Sequence, residues 1–276
     1  MQLKRGITIC SELQSMQEQI FITNGSAPAK DEGNIKYFPG SYVPQKEWRE
    51  LSNSEWRMLK DNGHQDYSKS LYLAEIPTDL KDLFLKLGLH ECKGTKEIIP
   101  KLRQREKIVK DISARTDVFL KQLSSTNDFK FHRITRALPG YEMLTRFYIK
   151  EEYVHIGLHI DQSRRFTPHT AHKSGNRISI NLSSETRYLA FVNLTVLQAL
   201  NMIKKKVVNK NLEITSDNIS SLFFAHYPNY PVLKIAQKPY QYYVAPTDNF
   251  FHDATTVQNK VLDITLVYTG TFDMNK

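Results

Sequence analysis

The chain has 276 residues, 40% of them hydrophobic and 11% aromatic, enough to bury a large core and too apolar for a disordered chain. Its 38 Lys and Arg exceed its 29 Asp and Glu by nine, which allows anionic partners, whether a small carboxylate or phosphate, a carrier protein or nucleic acid, and equally a Lys-rich solubilising surface. Cys10 and Cys92 are the only cysteines, which excludes a disulfide framework and a cysteine-based zinc site and fits a reducing compartment. No stretch approaches the roughly 20 apolar residues of a membrane span, and the apolar run in MQLKRGITICSEL is broken by Ser11 and Glu12 before signal-peptide length. A soluble, cytoplasmic protein without membrane partners is expected.

In chain order, residues 1–45 show no strong period beyond a short strand near 19–22 and a turn at Asn24-Gly25-Ser26. Trp48, Leu51, Trp56 and Leu59 predict a helix over 45–63 that stops at Asn62-Gly63. A second helix is expected over 79–87, ending at Gly88. A third runs over about 96–123, with Pro100 tolerated only in its first turn. After Asn127 the character changes. Short runs rich in β-branched and aromatic residues predict strands over 141–149, 154–161, 177–182, 188–194, 222–226, 232–237, 241–244 and 261–268, with one helix over 195–208. This order predicts an α+β, mainly β fold: a double-stranded β-helix, that is, a jelly-roll or cupin-like core, with a helical N-terminal portion packed against it. The expected organisation is a mostly helical supporting region over 1–130 and a catalytic core over 131–276, integrated as one domain.

The chemistry concentrates on Tyr153-Val154-His155-Ile156-Gly157-Leu158-His159-Ile160-Asp161. Val154, Ile156, Leu158 and Ile160 alternate with His155, Gly157, His159 and Asp161, as in a strand with one apolar face. His159 and Asp161, two residues apart on the other face, can share one metal ion, and a third ligand would complete a 2-His-1-carboxylate site. Two late histidines qualify: His226, at the end of an apolar run, and His252, just before the last predicted strand.

His159-Ile160-Asp161, a gap of 91 residues, His252 and a closing strand resemble the Fe(II)/2-oxoglutarate-dependent oxygenase superfamily. The resemblance covers about residues 130–270. It implies that His159, Asp161 and His252 hold Fe(II). It further implies 2-oxoglutarate and O2 as cosubstrates, oxidative decarboxylation to succinate and CO2, and hydroxylation of an unactivated C–H bond. Asp161 favours hydroxylation, desaturation or ring closure over halogenation, for which the superfamily replaces the carboxylate by a small residue. His155 is then expected to line the barrel beside the metal.

The distal carboxylate of 2-oxoglutarate needs a cation, best an arginine fork. The family's usual place, some ten residues past the second histidine, offers only Lys260. Arg177, at the start of the next strand, is the preferred candidate, and Arg146 is a third. Asn181 and Thr256 are candidate hydrogen-bonding companions. The loop after Asp161, QSRRFTPHTAHKSGN, would cover the metal, with Arg164 and Arg165, together with His155 and Tyr148, as candidate substrate contacts. His169 and His172 have metal-like spacing but no companion ligands. The expected substrate is a small molecule such as an amino acid, a carrier-bound compound or a natural-product intermediate, with an anionic group. The alternatives are the same chemistry on nucleic acid or protein, and a non-catalytic cupin-like binding protein.

Overall fold

The computed structural model describes residues 1–61, 66–164, 166–208 and 211–273. Its first part is not mostly helical. Strands β1 (Thr8–Ser11), β2 (Ile20–Thr23), β3 (Ser26–Pro28), β4 (Tyr42–Pro44) and β5 (Arg49–Glu50) precede helix α1 (Asn53–Leu59), and β6 (Ser70–Glu75) follows it. Helices α2 (Thr78–Leu87), α3 (Ile98–Gln104) and α4 (Glu106–Leu123) come next. The second part holds β7 (Phe129–Ala137), β8 (Arg146–Ile149), β9 (Glu152–His155), β10 (Asn176–Asn181) and β11 (Arg187–Phe191). Helices α5 (Val196–Lys204) and α6 (Ile219–His226) lead to β12 (Val232–Gln237), β13 (Gln241–Ala245), β14 (His252–Thr255) and β15 (Asp263–Gly270).

The local chemistry explains these boundaries. A capping box starts α1, in which Ser52 accepts from the Glu55 N–H and Glu55 accepts from the Ser52 N–H. The segment before it, expected to be helical, supplies β5 instead, and the expected stop at Asn62-Gly63 lies outside the described residues. Gly88 ends α2 with φ 71°, the left-handed cap that glycine adopts without strain. The long helix expected over 96–123 is broken at Arg105 into α3 and α4, with Pro100 in the first turn of α3. Thr195 and Gln198 form a second capping box at the start of α5.

Two sheets carry the fold. One has the order β1-β6-β13-β10-β15-β7, antiparallel except for β1 and β6; the other has the order β14-β11-β12-β2-β5 and is antiparallel throughout. Their facing surfaces meet in one apolar cluster. Leu71, Leu73 and Ala245 come from the first sheet, and Ile22, Leu189 and Phe191 from the second. The outer face of the six-stranded sheet, including Ile178, Ile180, Ile264 and Leu266, packs on α2 and α4 through Leu80, Phe84, Ile112 and Phe119. A third cluster joins α5 and α6 to Leu158 and Ile160. The expected helical support thus comes from α2–α4 on the outer face and from α1, whose Leu59 enters the cluster between the sheets. The N-terminal strands complete both sheets, and no helix among the described residues is long and apolar enough to cross a membrane.

Candidate metal centre

The segment carrying His159 and Asp161 is not one continuous strand. It leaves the β8–β9 hairpin at His155 and bends at Gly157, whose φ of 66° and closeness to Tyr42 both demand glycine. A Cβ there would stand 2.3 Å from the Tyr42 carbonyl oxygen. Beyond the bend the Leu158 N–H donates to that same carbonyl at 2.8 Å. His159 then pairs with His252: the His252 N–H donates to His159 O at 2.8 Å and the His159 N–H to His252 O at 3.1 Å. Leu158 and Ile160 are buried in the α5–α6 cluster, so the apolar side of the alternation is real beyond the bend.

The bend also removes His155 from the site. Its ring is buried between Tyr37 and Tyr141, its Nδ1–H donates to Met143 O at 2.6 Å, and it does not line the cavity at Asp161. Burial pulls its pKa below the ordinary histidine value, so it stays neutral.

His252 opens β14, held opposite Phe191 of β11. The ligating atoms of His159, Asp161 and His252 lie within 4.8 Å of one another. His159 Nε2 is 3.8 Å from Asp161 Oδ1, and His252 Nε2 is 3.5 Å from Asp161 Oδ2. Each Nδ1 faces a carbonyl that can only accept, Gly157 O at 2.8 Å and Phe250 O at 3.2 Å. The proton therefore sits on Nδ1 in the neutral rings, and both Nε2 lone pairs are turned to the carboxylate. Asp161 Oδ2 is buried and receives no hydrogen bond, although Arg177 Nη2 lies 2.9 Å away. An orphaned buried carboxylate oxygen facing two imidazole lone pairs is a donor set that fits a divalent transition metal.

Electrostatics match this arrangement. Burial works against ionisation of Asp161, but the Arg177 guanidinium and the two imidazoles overcome it and hold its pKa well below the usual carboxylate range. For His159, burial disfavours the cation, yet the adjacent Asp161 carboxylate and the charge of Asp253 raise its pKa above the ordinary value. Beside the centre, Asp253 is fully buried and its pKa is pushed up by burial. It accepts a hydrogen bond from Thr145 Oγ1 at 2.8 Å.

A cavity of about 320 Å³ opens from Asp161 and His252 between the two sheets. Arg177 lines it, but with its charge directed at Asp161. Arg146 also lines it and rests on the Tyr153 ring, 4.8 Å from its centroid. Deeper, Arg187 is 4% exposed; its Nε donates to Asp263 Oδ1 at 2.9 Å and its Nη1 to Gln237 Oε1 at 3.2 Å. Arg133 enters from β7, opposite Val267 and on the same side as Thr135 and Thr265, whose hydroxyls bond each other. A larger recess of about 470 Å³ lies along the loop after Asp161, and none of the three ligating residues lines it.

Other expected contacts lie elsewhere. Lys260 is exposed in the turn before β15, where Glu185 accepts its backbone N–H, and it does not reach the cavity. Asn181 is fully engaged in the backbone: its Nδ2 donates to Glu185 O and Gln237 O, and its Oδ1 accepts from the Ser183 N–H. Thr256 Oγ1 is spent between Leu138 O and the Tyr141 N–H. Arg164 is exposed and paired with Asp128 at 3.2 Å, and Arg165 lies outside the described residues. Tyr148 is exposed against Tyr153 in the β8–β9 hairpin. His169 faces Lys204, and neither it nor His172 joins a metal-competent group among the described residues. His226 is exposed at the end of α6, because 222–226 is helical rather than extended.

Arg187, Arg133 and Asp263 escaped the sequence reading. Their signal was a charged residue at an inward-facing position of an otherwise ordinary strand. Asp263 stands 11 residues past His252, where the resemblance leads one to look for a cation, and the cation it holds comes from β11 instead.

No family model matches the chain, and no curated protein matches it. Among solved structures it is similar to the apo form of the Kdo hydroxylase KdoO, a non-heme Fe(II) alphaketoglutarate dependent dioxygenase. That likeness has 14% identity and a TM-score of 0.40, and covers 75% of this chain and 81% of that one. The same hydroxylase with cobalt(II) matches at 14% identity and a TM-score of 0.40, with the same coverage. Its complex with alphaketoglutarate and Fe(III) matches at 15% identity and a TM-score of 0.40, again over 75% and 81%. So distant a likeness carries no functional argument; the side chains of this protein must carry it.

Proposed function

We propose that this protein is an Fe(II)- and 2-oxoglutarate-dependent oxygenase that hydroxylates a small molecule. The observation that carries this reading is the His159, Asp161 and His252 cluster, with both Nε2 lone pairs and an orphaned carboxylate oxygen converging between two sheets. Two imidazoles and one carboxylate hold non-haem iron and leave coordination positions open. The strand order also supports a double-stranded β-helix. β7-β15-β10-β13 form one wall, and β14-β11-β12, extended by the bridge from His159 to His252, form the other. We read the chain as one integrated domain, because β1, β2, β5 and β6 pair into these walls.

Bound Fe(II) with 2-oxoglutarate and O2 would supply the oxidising power for C–H hydroxylation, releasing succinate and CO2. The chain's own residues do the rest. Arg177 keeps Asp161 ionised, and the Gly157 and Phe250 carbonyls fix the imidazole tautomers. Arg187, deep in the cavity with Asp263, Gln237 and Tyr243 around it, is the best-placed cation for the distal carboxylate of 2-oxoglutarate. It takes that role in place of Arg177, which is turned to Asp161, and of Lys260, which lies outside the cavity.

The test is anaerobic titration with Fe(II) and 2-oxoglutarate, followed by succinate release in air. Wild-type protein is expected to bind both and to form succinate. His159→Ala and Asp161→Ala should fold but lose the metal. Full metal retention in both variants, or no binding of either component by the wild type, would overturn the proposal.

A further inference from the structure

The cavity holds more positive charge than the metal site and one cosubstrate can use. Its lining includes Arg133, Arg136, Arg146, Arg177 and Arg187, against Asp161, Asp253 and Asp263. Arg136 is set aside, because it pairs with Ile264, which faces the helices. Arg177 is committed to Asp161, and Arg187, held in place by Asp263, is the anchor proposed for the cosubstrate. Arg133 and Arg146 have no carboxylate within ion-pair distance among the described residues. Arg133, although exposed at the rim, stands in a positive field: partial desolvation at the cavity mouth and the neighbouring Arg177 charge both work against its own, and Asp161 is the carboxylate that opposes them. Arg177 Nε is buried with no acceptor. Neighbouring guanidinium charges without a counterion repel one another, and a bound oxyanion relieves that repulsion.

Position separates these two arginines from the deep one. Arg187 is buried, whereas Arg133 and Arg146 are exposed at the rim. Arg133 stands on β7, the edge of the six-stranded sheet, and Arg146 on the separate β8–β9 hairpin. With iron and the 2-oxoglutarate dianion in place, the tally is four arginines and a 2+ ion against three aspartates and a 2− ligand. That leaves 6 − 5 = +1, with the surplus at the rim.

We infer that Arg133 and Arg146 form an oxyanion subsite that receives a carboxylate or phosphate group of the substrate and orients it towards the metal centre. This rests on the oxygenase reading for the word substrate, but the subsite itself is a property of the cavity. An arginine fork binds either group in a bidentate manner, so the two share one chemistry here.

The experiment titrates inorganic phosphate, and separately acetate, into protein loaded with Co(II) and 2-oxoglutarate, by calorimetry at low salt. Wild-type protein should bind one of the two probes at one equivalent, and the tighter probe identifies the group. Arg133→Gln and Arg146→Gln should each weaken that probe about tenfold or more, with 2-oxoglutarate affinity held within twofold. Failure of both probes to bind, or loss of 2-oxoglutarate affinity instead of probe affinity in Arg133→Gln, would overturn the inference. If the protein takes up neither Co(II) nor 2-oxoglutarate, the oxygenase reading falls. The same titration on metal-free wild type and Arg133→Gln then still decides whether the subsite exists.

Discussion

The Arg187–Asp263 pair gives the sharpest test of how the cavity is built. Both side chains are almost fully buried, 5% and 1% exposed, and their contact is 2.9 Å. Removing one partner of such a pair strands the other charge in the interior, at a cost of about 3–5 kcal/mol. At roughly 2–3 °C per kcal/mol for a chain of this size, that is a fall in Tm of about 6–15 °C. The two single variants should differ in pH dependence. In Asp263→Asn the stranded group is a guanidinium, which cannot shed its proton, so the loss should be the same at pH 7.5 and pH 5. In Arg187→Met the stranded group is a carboxyl whose folded-state pKa is raised by burial. Stability linked to a raised carboxyl pKa is present below the unfolded value and lost as pH rises through the folded one, so this variant should recover part of its deficit at pH 5. The double variant Arg187→Met with Asp263→Leu should lie closer to wild type than either single variant at pH 7.5. Urea unfolding followed by the fluorescence of Trp48 and Trp56 measures all four proteins. Losses below about 1 kcal/mol in both single variants, or identical pH dependence, would refute the view that this pair is a desolvated unit. Titration of 2-oxoglutarate into the double variant adds the functional half of the question, since Arg187 is the proposed anchor.

Three other outcomes follow from the same geometry. His159 has a pKa raised above 6.5, so its stabilising contribution to the metal-free protein is present below pH 6.5 and lost as pH rises through the folded value. Co(II) affinity should rise over that same window, because the ligand is the neutral ring; paired urea and Co(II) titrations from pH 6 to 8.5 check both trends. Gly157→Ala should lose at least about 1–2 kcal/mol from the left-handed backbone alone, and should also weaken Co(II) binding because the bend aims His159; unchanged affinity would separate the bend from the site. Asn181→Ala should cost about 1–3 kcal/mol for the buried backbone groups it leaves unpaired, without moving 2-oxoglutarate affinity, since Asn181 does not face the cavity.

The cluster of His159, Asp161 and His252 was legible because these residues carry their own spacing, and because Leu158 and Ile160 mark the buried side of the segment. His155 was misplaced because alternation does not reveal a bend; the warning was Gly157, inside an otherwise regular run. The segment 222–226 was read as extended because four apolar residues in a row, Leu222 to Ala225, look the same in a buried strand and a buried helix. Strand β7 was missed for the opposite reason. Lys130, His132, Arg133 and Arg136 interrupt its apolar signal, since part of its surface lines a charged cavity and its ladder has an irregularity near Tyr268. Arg177 was expected to anchor 2-oxoglutarate and instead faces Asp161; which carboxylate it serves is a matter of a few ångströms that no spacing encodes.

The way the first strands enter the two sheets has a consequence for handling the protein. β6 covers the open side of β13, and β2 covers the open side of β12, across more than 160 and 200 residues of chain. Both covered strands are buried along their whole length. A fragment cut after residue 130 would keep every proposed metal ligand and lose both covers. It would present two apolar ladders of unpaired N–H and C=O groups, the kind of surface that pairs with another molecule. The first strands are therefore seals against self-association, and shortening the chain to its second half would yield aggregates rather than a smaller folded protein.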